Sequence, residues 1–422
     1  MILTNCVIAA SALVLLKLCA SAWLDLLNAK SVKLNSERVP DAFREIIDDA
    51  SYFKSVKYTL EKIRFGLYED AYSSILLIAV LAFGIYPKLF YFFENAMGKS
   101  VWAQAASICF ISAILGLANL PFEWHSQFKI EHKYGFNKST LSLWISDQFK
   151  ELAIGLVIGI PMLALLLWLF GVFQNTWWLW GFGAVAVFQI AMLIIYPRVI
   201  MPLFNKLSPL EDGELKTRLL KMSDHAGFHA SSIYVIDGSK RSSHSNAFFT
   251  GFGKFRRIVL FDTLREQLDP EEIEAVLAHE IGHYRKGHVP KMIISSFAMI
   301  FLGFAAIAYL SKCPWFFSGF GFKIEDGMAP IMLLFSSLIG LFTFWLNPIF
   351  NCFSRKYEYQ ADKFAKDVCG GADGLISALR KLHTKNLGNL TPHKIYSAFH
   401  YSHPTLLERE SALKNGNAPS QN

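Results

Sequence analysis

Long apolar runs alternate along this chain with charged connections. Seven runs approach the roughly 20 residues that a bilayer core requires: Val7 to Leu27, Ser74 to Phe93, Trp102 to Phe122, Leu152 to Phe173, Trp177 to Pro197, Lys291 to Leu310 and Ala329 to Phe350. Pro87 and Lys88 interrupt the second. Between the first two runs, Asp41 to Lys62 mixes charged and apolar positions, a pattern that predicts a surface or interfacial helix. Between the fifth and sixth, Ser232–Ile236, Asn246–Phe249 and Arg257–Phe261 are short β-prone stretches bounded by Gly and Ser, which predicts a small sheet. The chain thus divides into five spans over residues 1–204, a polar domain with two further spans over 205–414, and a tail rich in Asn, Ser, Gly and Pro over 415–422, expected to be disordered.

Composition agrees with a membrane protein. Hydrophobic residues make up 53% of the 422 residues, and the mean hydropathy is +0.32. The connection after the first run carries Lys30, Lys33, Arg38, Arg44, Lys54, Lys57, Lys62 and Arg64, whereas the next carries only Lys99. This alternation continues: Lys129, Lys133, Lys138 and Lys150 follow the third run, no Lys or Arg follows the fourth, and the outer loop after the sixth has only Lys312 and Lys323. Positive charge collects on the cytoplasmic side, so the N-terminus is expected outside and the polar domain and C-terminus inside. The net charge of +7 follows from this topology and is no sign of nucleic-acid binding. Cys19-Ala20-Ser21-Ala22 resembles a signal-peptidase site, but Met1 to Asn5 carries no positive charge, so the first run reads as a retained span. The six cysteines show no ligand or disulfide spacing and read as packing thiols.

The chemistry lies just before the sixth run. Asp269-Pro270-Glu271-Glu272 has a capping residue, a first-turn Pro and a capping-box Glu, so a helix starts there with Ile273, Val276, Leu277, Ile281 and Tyr284 as its apolar stripe. On it, His279-Glu280-Ile281-Gly282-His283 sets two imidazoles one turn apart beside a carboxylate. That is the ligand pair and general base of a zinc peptidase, here expected to face the sheet. Hydrolytic zinc takes a third protein ligand and leaves a position for water. Gly287 and His288 are out of register for a downstream third His, so His288 reads as structural. The better candidate is Glu358. His283 precedes the sixth run and Glu358 follows the seventh, so that hairpin returns Glu358 to the same membrane face. Asp362, one turn on, can accept the free ring N–H of a ligating His.

These residues, with His244-Ser245-Asn246-Ala247-Phe248, Ile258 to Leu264 and Tyr401-Ser402-His403-Pro404, resemble the type I CaaX prenyl proteases, integral-membrane zinc metallopeptidases, over nearly the whole chain. The resemblance implies seven helices around a water-filled chamber, capped by a gluzincin-like zinc domain that holds one Zn2+ per chain. It further implies that His279, His283 and Glu358 ligate zinc and that Glu280 takes the proton of its water. Asn246 and Ala247 would lie on an edge strand that binds the substrate backbone, and His403 would stabilise the oxyanion with Arg409 behind it. The implied substrate is a C-terminal CaaX segment with a prenylated Cys, or another membrane-associated peptide, handled by a monomer in the bilayer. A bacterial cytoplasmic membrane is the expected location, or the endoplasmic reticulum in a eukaryote, with the site facing the cytoplasm. A general quality-control protease and a transporter or lipid-binding protein with a structural metal are the alternative functions.

Overall fold

The computed structural model describes residues 3–229, 232–250 and 257–416. Five helices of membrane-spanning length come first: α1 (Asn5–Leu34), α2 (Asp49–Ala82), α3 (Val101–Tyr134), α4 (Leu141–Phe173) and α5 (Trp177–Phe204). The polar domain contributes α6 (Glu214–His225) and α7 (Pro270–Arg285). The last two spans, α8 (His288–Leu310) and α9 (Met328–Cys369), are followed by α10 (Asp373–Lys385), α11 (Lys394–His400) and α12 (Leu406–Asn415). Side-chain oxygens of Thr4, Asp48 and Thr140 accept the backbone N–H of Val7, Ser51 and Leu143, so α1, α2 and α4 each start on an N-cap.

Several helices outrun the apolar runs that announce them. No separate surface helix spans Asp41 to Lys62: Asp41–Phe43 forms a single 3₁₀ turn, and residues 49–62 are the start of α2. The second apolar run in turn divides, because Gly84 takes a left-handed conformation (φ 58°) after α2 and starts a distinct helix, Ile85–Met97. The reason is visible in what the polar positions do. Glu69 and Glu131 on α2 and α3, Asp147 and Glu151 on α4, and Arg241 and His244 from the polar domain line a cavity of about 1120 Å³. Helices α3 and α5 each contain a π-helical stretch beside it, Ser126–Glu131 and Tyr196–Ile200, which re-aims the side chains that follow. Polar residues along these helices therefore face the interior, while the outer faces present bare apolar side chains such as Val157 and Val187, 73% and 69% exposed, as lipid contact requires.

The polar domain is built on a four-stranded sheet in the order β1-β2-β4-β3, with β1 (Leu207–Pro209), β2 (Ser232–Ile236), β3 (Ala247–Thr250) and β4 (Arg257–Phe261). β2 and β4 are parallel, and β1 and β3 pair antiparallel to them. Strand β1 had no signal beyond two residues and a Pro, too little for a periodicity argument. Ile233, Ile258 and Leu260 from the sheet pack against Ile273, Leu277 and Ile281 of α7 and Leu375 of α10 in one buried core. At the far end, α12 continues through Asn415 and stops at left-handed Gly416, so the expected tail is helical at its first residue; residues 417–422 lie outside the described structure.

Candidate metal centre

Helix α7 starts on the reciprocal capping box of Asp269 and Glu272, with Pro270 in its first turn. Buried Glu272 also accepts from Ser377 Oγ (2.6 Å) and Lys381 Nζ (2.9 Å), which fixes the start of α7 to α10. Its apolar stripe faces the sheet, so the histidines do not: contrary to the sequence expectation, His279 and His283 face α9. Gly282 makes that approach feasible. A Cβ there would stand 3.0 Å from the Cα of Ala361 and 3.1 Å from its carbonyl oxygen, so the two backbones touch where the ligands are mounted.

One candidate atom each from His279, His283 and Glu358 lie within 4.8 Å of one another. The two Nε2 atoms are 3.2 Å apart, and the Glu358 carboxylate is 3.4 Å from His279 Nε2 and 3.3 Å from His283 Nε2. Glu358 and His279 are buried. Asp362, one turn beyond Glu358 on α9, stands 2.8 Å from His279 Nδ1 and accepts from it, so His279 Nε2 is left as a lone-pair donor toward the cluster.

Arg409 from α12 closes the arrangement. Its Nε donates to Asp362 Oδ2 (2.8 Å) and its Nη2 to Oδ1, a two-bond clamp on a buried carboxylate, and its Nη1 stands 3.8 Å from Glu358. Arg409 is itself buried and fully engaged in this way. His403 lies on the open side, with Nε2 3.4 Å from Glu358 and Nδ1 2.9 Å from Ser402 Oγ. If the Ser402 hydroxyl donates to Nδ1, then Nε2 carries the hydrogen and faces the cluster. Glu280 is on α7 between the two ligating positions. Burial raises its carboxyl pKa above the ordinary value, with His279 and His283 pulling against that shift.

The structure therefore gathers His279, His283, Glu358, Asp362, Arg409 and His403 into one cluster. Asn246 and Ala247 make none of these contacts: Ala247 opens β3, an edge strand of the sheet among the described residues, and β3 packs on α7. The Asn246 side chain turns back onto the Ala247 N–H (2.8 Å). His288, read as structural from its spacing, is fully buried with its Nδ1 3.0 Å from His283 Nδ1. No helical period joins positions 283 and 288. Left-handed Gly287 (φ 65°) does, and a Gly between two helices was the only available signal.

The donor set fits a metal ion. Three acceptor atoms converge with no hydrogen to share among them once Asp362 holds the His279 proton on Nδ1. Glu358 Oε2 is buried among them without any hydrogen-bond partner, an expense that a cation would remove. Two imidazoles and one carboxylate are the ligand chemistry of hydrolytic zinc.

Comparison with known proteins agrees at every level. The CAAX prenyl protease N-terminal domain, described as five membrane helices, matches residues 28–206, and peptidase family M48 matches residues 209–416. CAAX prenyl protease 1 of Saccharomyces cerevisiae is 38% identical over 408 residues, spanning 90% of this chain and 89% of its own. The Homo sapiens homolog is 33% identical, spanning 89% and 88%. The crystal structure of S. mikatae Ste24p superposes with a TM-score of 0.91 at 35% identity, covering 97% of this chain and 99% of that one. With both halves matched by the family models and nearly the whole chain by these relatives, the chain belongs to the CAAX prenyl protease 1 family, integral-membrane metallopeptidases of peptidase family M48.

Proposed function

We propose that this protein hydrolyses the peptide bond next to a prenylated cysteine in C-terminal CaaX segments, using one zinc ion held by His279, His283 and Glu358. The convergence of those three side chains, two of them on the helix against which the edge strand β3 packs, is the observation that carries the reading. When bound, zinc supplies Lewis-acid polarisation of the scissile carbonyl and acidifies a water. The remaining steps fall to the chain. Glu280, with its raised pKa, accepts the water's proton and returns it to the leaving amine. His403 Nε2–H donates to the oxygen on which negative charge grows, while Ser402 holds its ring. Among the described residues β3 is an edge strand, and it would pair with an extended peptide without demanding particular side chains once the Asn246 side chain gives up the Ala247 N–H. Arg409 acts through Asp362, which fixes the His279 tautomer.

Three cavities in series favour a membrane-delivered substrate. The 1120 Å³ cavity among the spans shares His244 with one of about 470 Å³, which shares Tyr401 and Asn389 with one of about 310 Å³ at His403 and Arg409. The charge distribution favours a cytoplasmic site. The relatives come from yeast, plants and animals, which favours the endoplasmic reticulum membrane over the bacterial membrane expected from the sequence. All site residues come from one chain, so the monomer suffices. The test is to offer the purified, zinc-loaded protein a farnesylated CaaX peptide and its unprenylated twin. Preferential cleavage of the farnesylated peptide supports the reading, and equal cleavage of both points to general membrane proteolysis.

A further inference from the structure

The two imidazoles of the cluster are not held alike. His279 Nδ1 faces a carboxylate, Asp362, whereas His283 Nδ1 faces another imidazole, His288, at 3.0 Å. The second ring nitrogen of His288 then meets Gln360 Oε1 at 2.9 Å, and its ring stacks on Tyr357 with centroids 4.4 Å apart and planes 16° from parallel. His288 is fully buried.

Proton positions along this row follow one from another. His283 Nε2 is turned toward His279 and Glu358, so as a ligand it uses that lone pair and carries its hydrogen on Nδ1. His288 Nδ1 must therefore accept. A neutral imidazole that accepts at Nδ1 carries its hydrogen on Nε2, and that N–H needs an acceptor, which Gln360 supplies. Turning the Gln360 amide the other way would set two N–H groups against each other somewhere in the row. Only one arrangement satisfies every group: His283 Nδ1–H to His288 Nδ1, and His288 Nε2–H to Gln360 Oε1.

We propose that His288 and Gln360 form a second positioning pair for the metal, one that fixes the tautomer and rotation of His283 through a neutral acceptor. This rests on the zinc reading of the site. The row also couples the two elements that supply ligands, because Tyr357 and Gln360 flank Glu358 on α9 while His288 opens α8 directly after α7. A shift of α9 along α7 would move Glu358 and release His283 together. The neutral acceptor matters for charge as well: Glu358, Glu280 and Asp362 already place three carboxylates around the cluster, with the Arg409 guanidinium beside them.

Three variants of the full-length, detergent-solubilised protein test this: His288→Asn, whose amide oxygen can stand in for Nδ1; His288→Phe, which keeps the ring on Tyr357 but removes the acceptor; and Gln360→Met, which removes the far end of the row. Zinc affinity is read by competition with a chelating indicator, and thermal stability is read with zinc in excess. His288→Phe is expected to weaken zinc ~10–100-fold while His288→Asn stays within about threefold of the parent, the loss typical of second contacts to ligating His. Peptide KM is expected to be unchanged in both. Zinc affinity in His288→Phe equal to the parent, or equal losses in Phe and Asn, would overturn the proposal by reducing His288 to a packing role. Should His288→Phe fail to fold, Gln360→Met decides: a loss of roughly tenfold supports the row, and parental affinity overturns it. A parent protein that binds no zinc would instead remove the metal reading itself.

Discussion

At the scale of single residues, the proposed mechanism separates groups that would hold the ion from groups that would move protons. Glu280→Gln keeps the shape of the side chain and makes no change to the three ligands, so kcat on a CaaX peptide should fall ~10²–10⁴-fold while zinc content stays at the parental level. Loss of zinc in this variant would show that Glu280 is itself a ligand. Asp362 and Arg409 form a buried pair, so Asp362→Ala leaves the guanidinium in the interior with only the longer contact to Glu358 (3.8 Å) and should destabilise the protein by about 3–5 kcal/mol. Combining it with Arg409→Leu should recover much of that loss in denaturation experiments; additive losses would contradict the pairing. The His pair and Glu280 were legible because a helix puts residues four apart on one face. Glu358 was legible from topology, since a two-span hairpin must return to the side it left. His288 was not, because its contact with His283 depends on a left-handed Gly287 that no periodicity encodes.

At the scale of elements, the site depends on how closely α7 and α9 approach. Gly282→Ala would press a methyl group into the backbone at Ala361, where no side chain can yield. The expected result is about 1–3 kcal/mol of destabilisation together with weaker zinc binding, although no ligand is altered. Parental stability and affinity would show that the helices have room to separate. The helices also show where apolar runs mislead. The runs found all seven crossings but cut several short, beginning α2 and α4 too late and ending α3 too early, because the cavity-facing Glu69, Asp147 and Glu151 precede the apolar stretches and Glu131 follows one. The same rule hid the first half of α2, whose Tyr58 donates to Glu131 and whose Glu61 receives Lys133 and Tyr134 of α3.

At the scale of the whole molecule, a few polar contacts join the spans to the domain that carries the cluster. Arg241 donates to both carboxylate oxygens of Asp147 on α4 (2.9 and 3.1 Å) and to Asn205 at the end of α5 (3.0 Å). His244, just before β3, stands 3.6 Å from Glu131 of α3 and 2.9 Å from Asn386. The Glu131 carboxylate raises the His244 pKa, against the pull of burial. A folded pKa above the unfolded one means that this contact stabilises fully below the unfolded value of about 6.5 and is lost as pH rises through the folded value. The difference in melting temperature between the parent and His244→Gln should therefore be largest near pH 6 and shrink toward pH 9. A difference independent of pH would mean that His244 acts only by stacking on Phe136. The proposed function needs these links to keep two imidazoles and a carboxylate from opposite ends of a hairpin converged where one ion would bind. Zinc X-ray absorption on the parent protein and on Glu358→Ala, with metal content measured on both, tests that most directly. The account predicts one zinc per parent chain with two imidazole ligands and oxygen completing the shell, and loss of the metal from Glu358→Ala. A sulfur ligand in the parent, or full zinc with an unchanged shell in the variant, would contradict it.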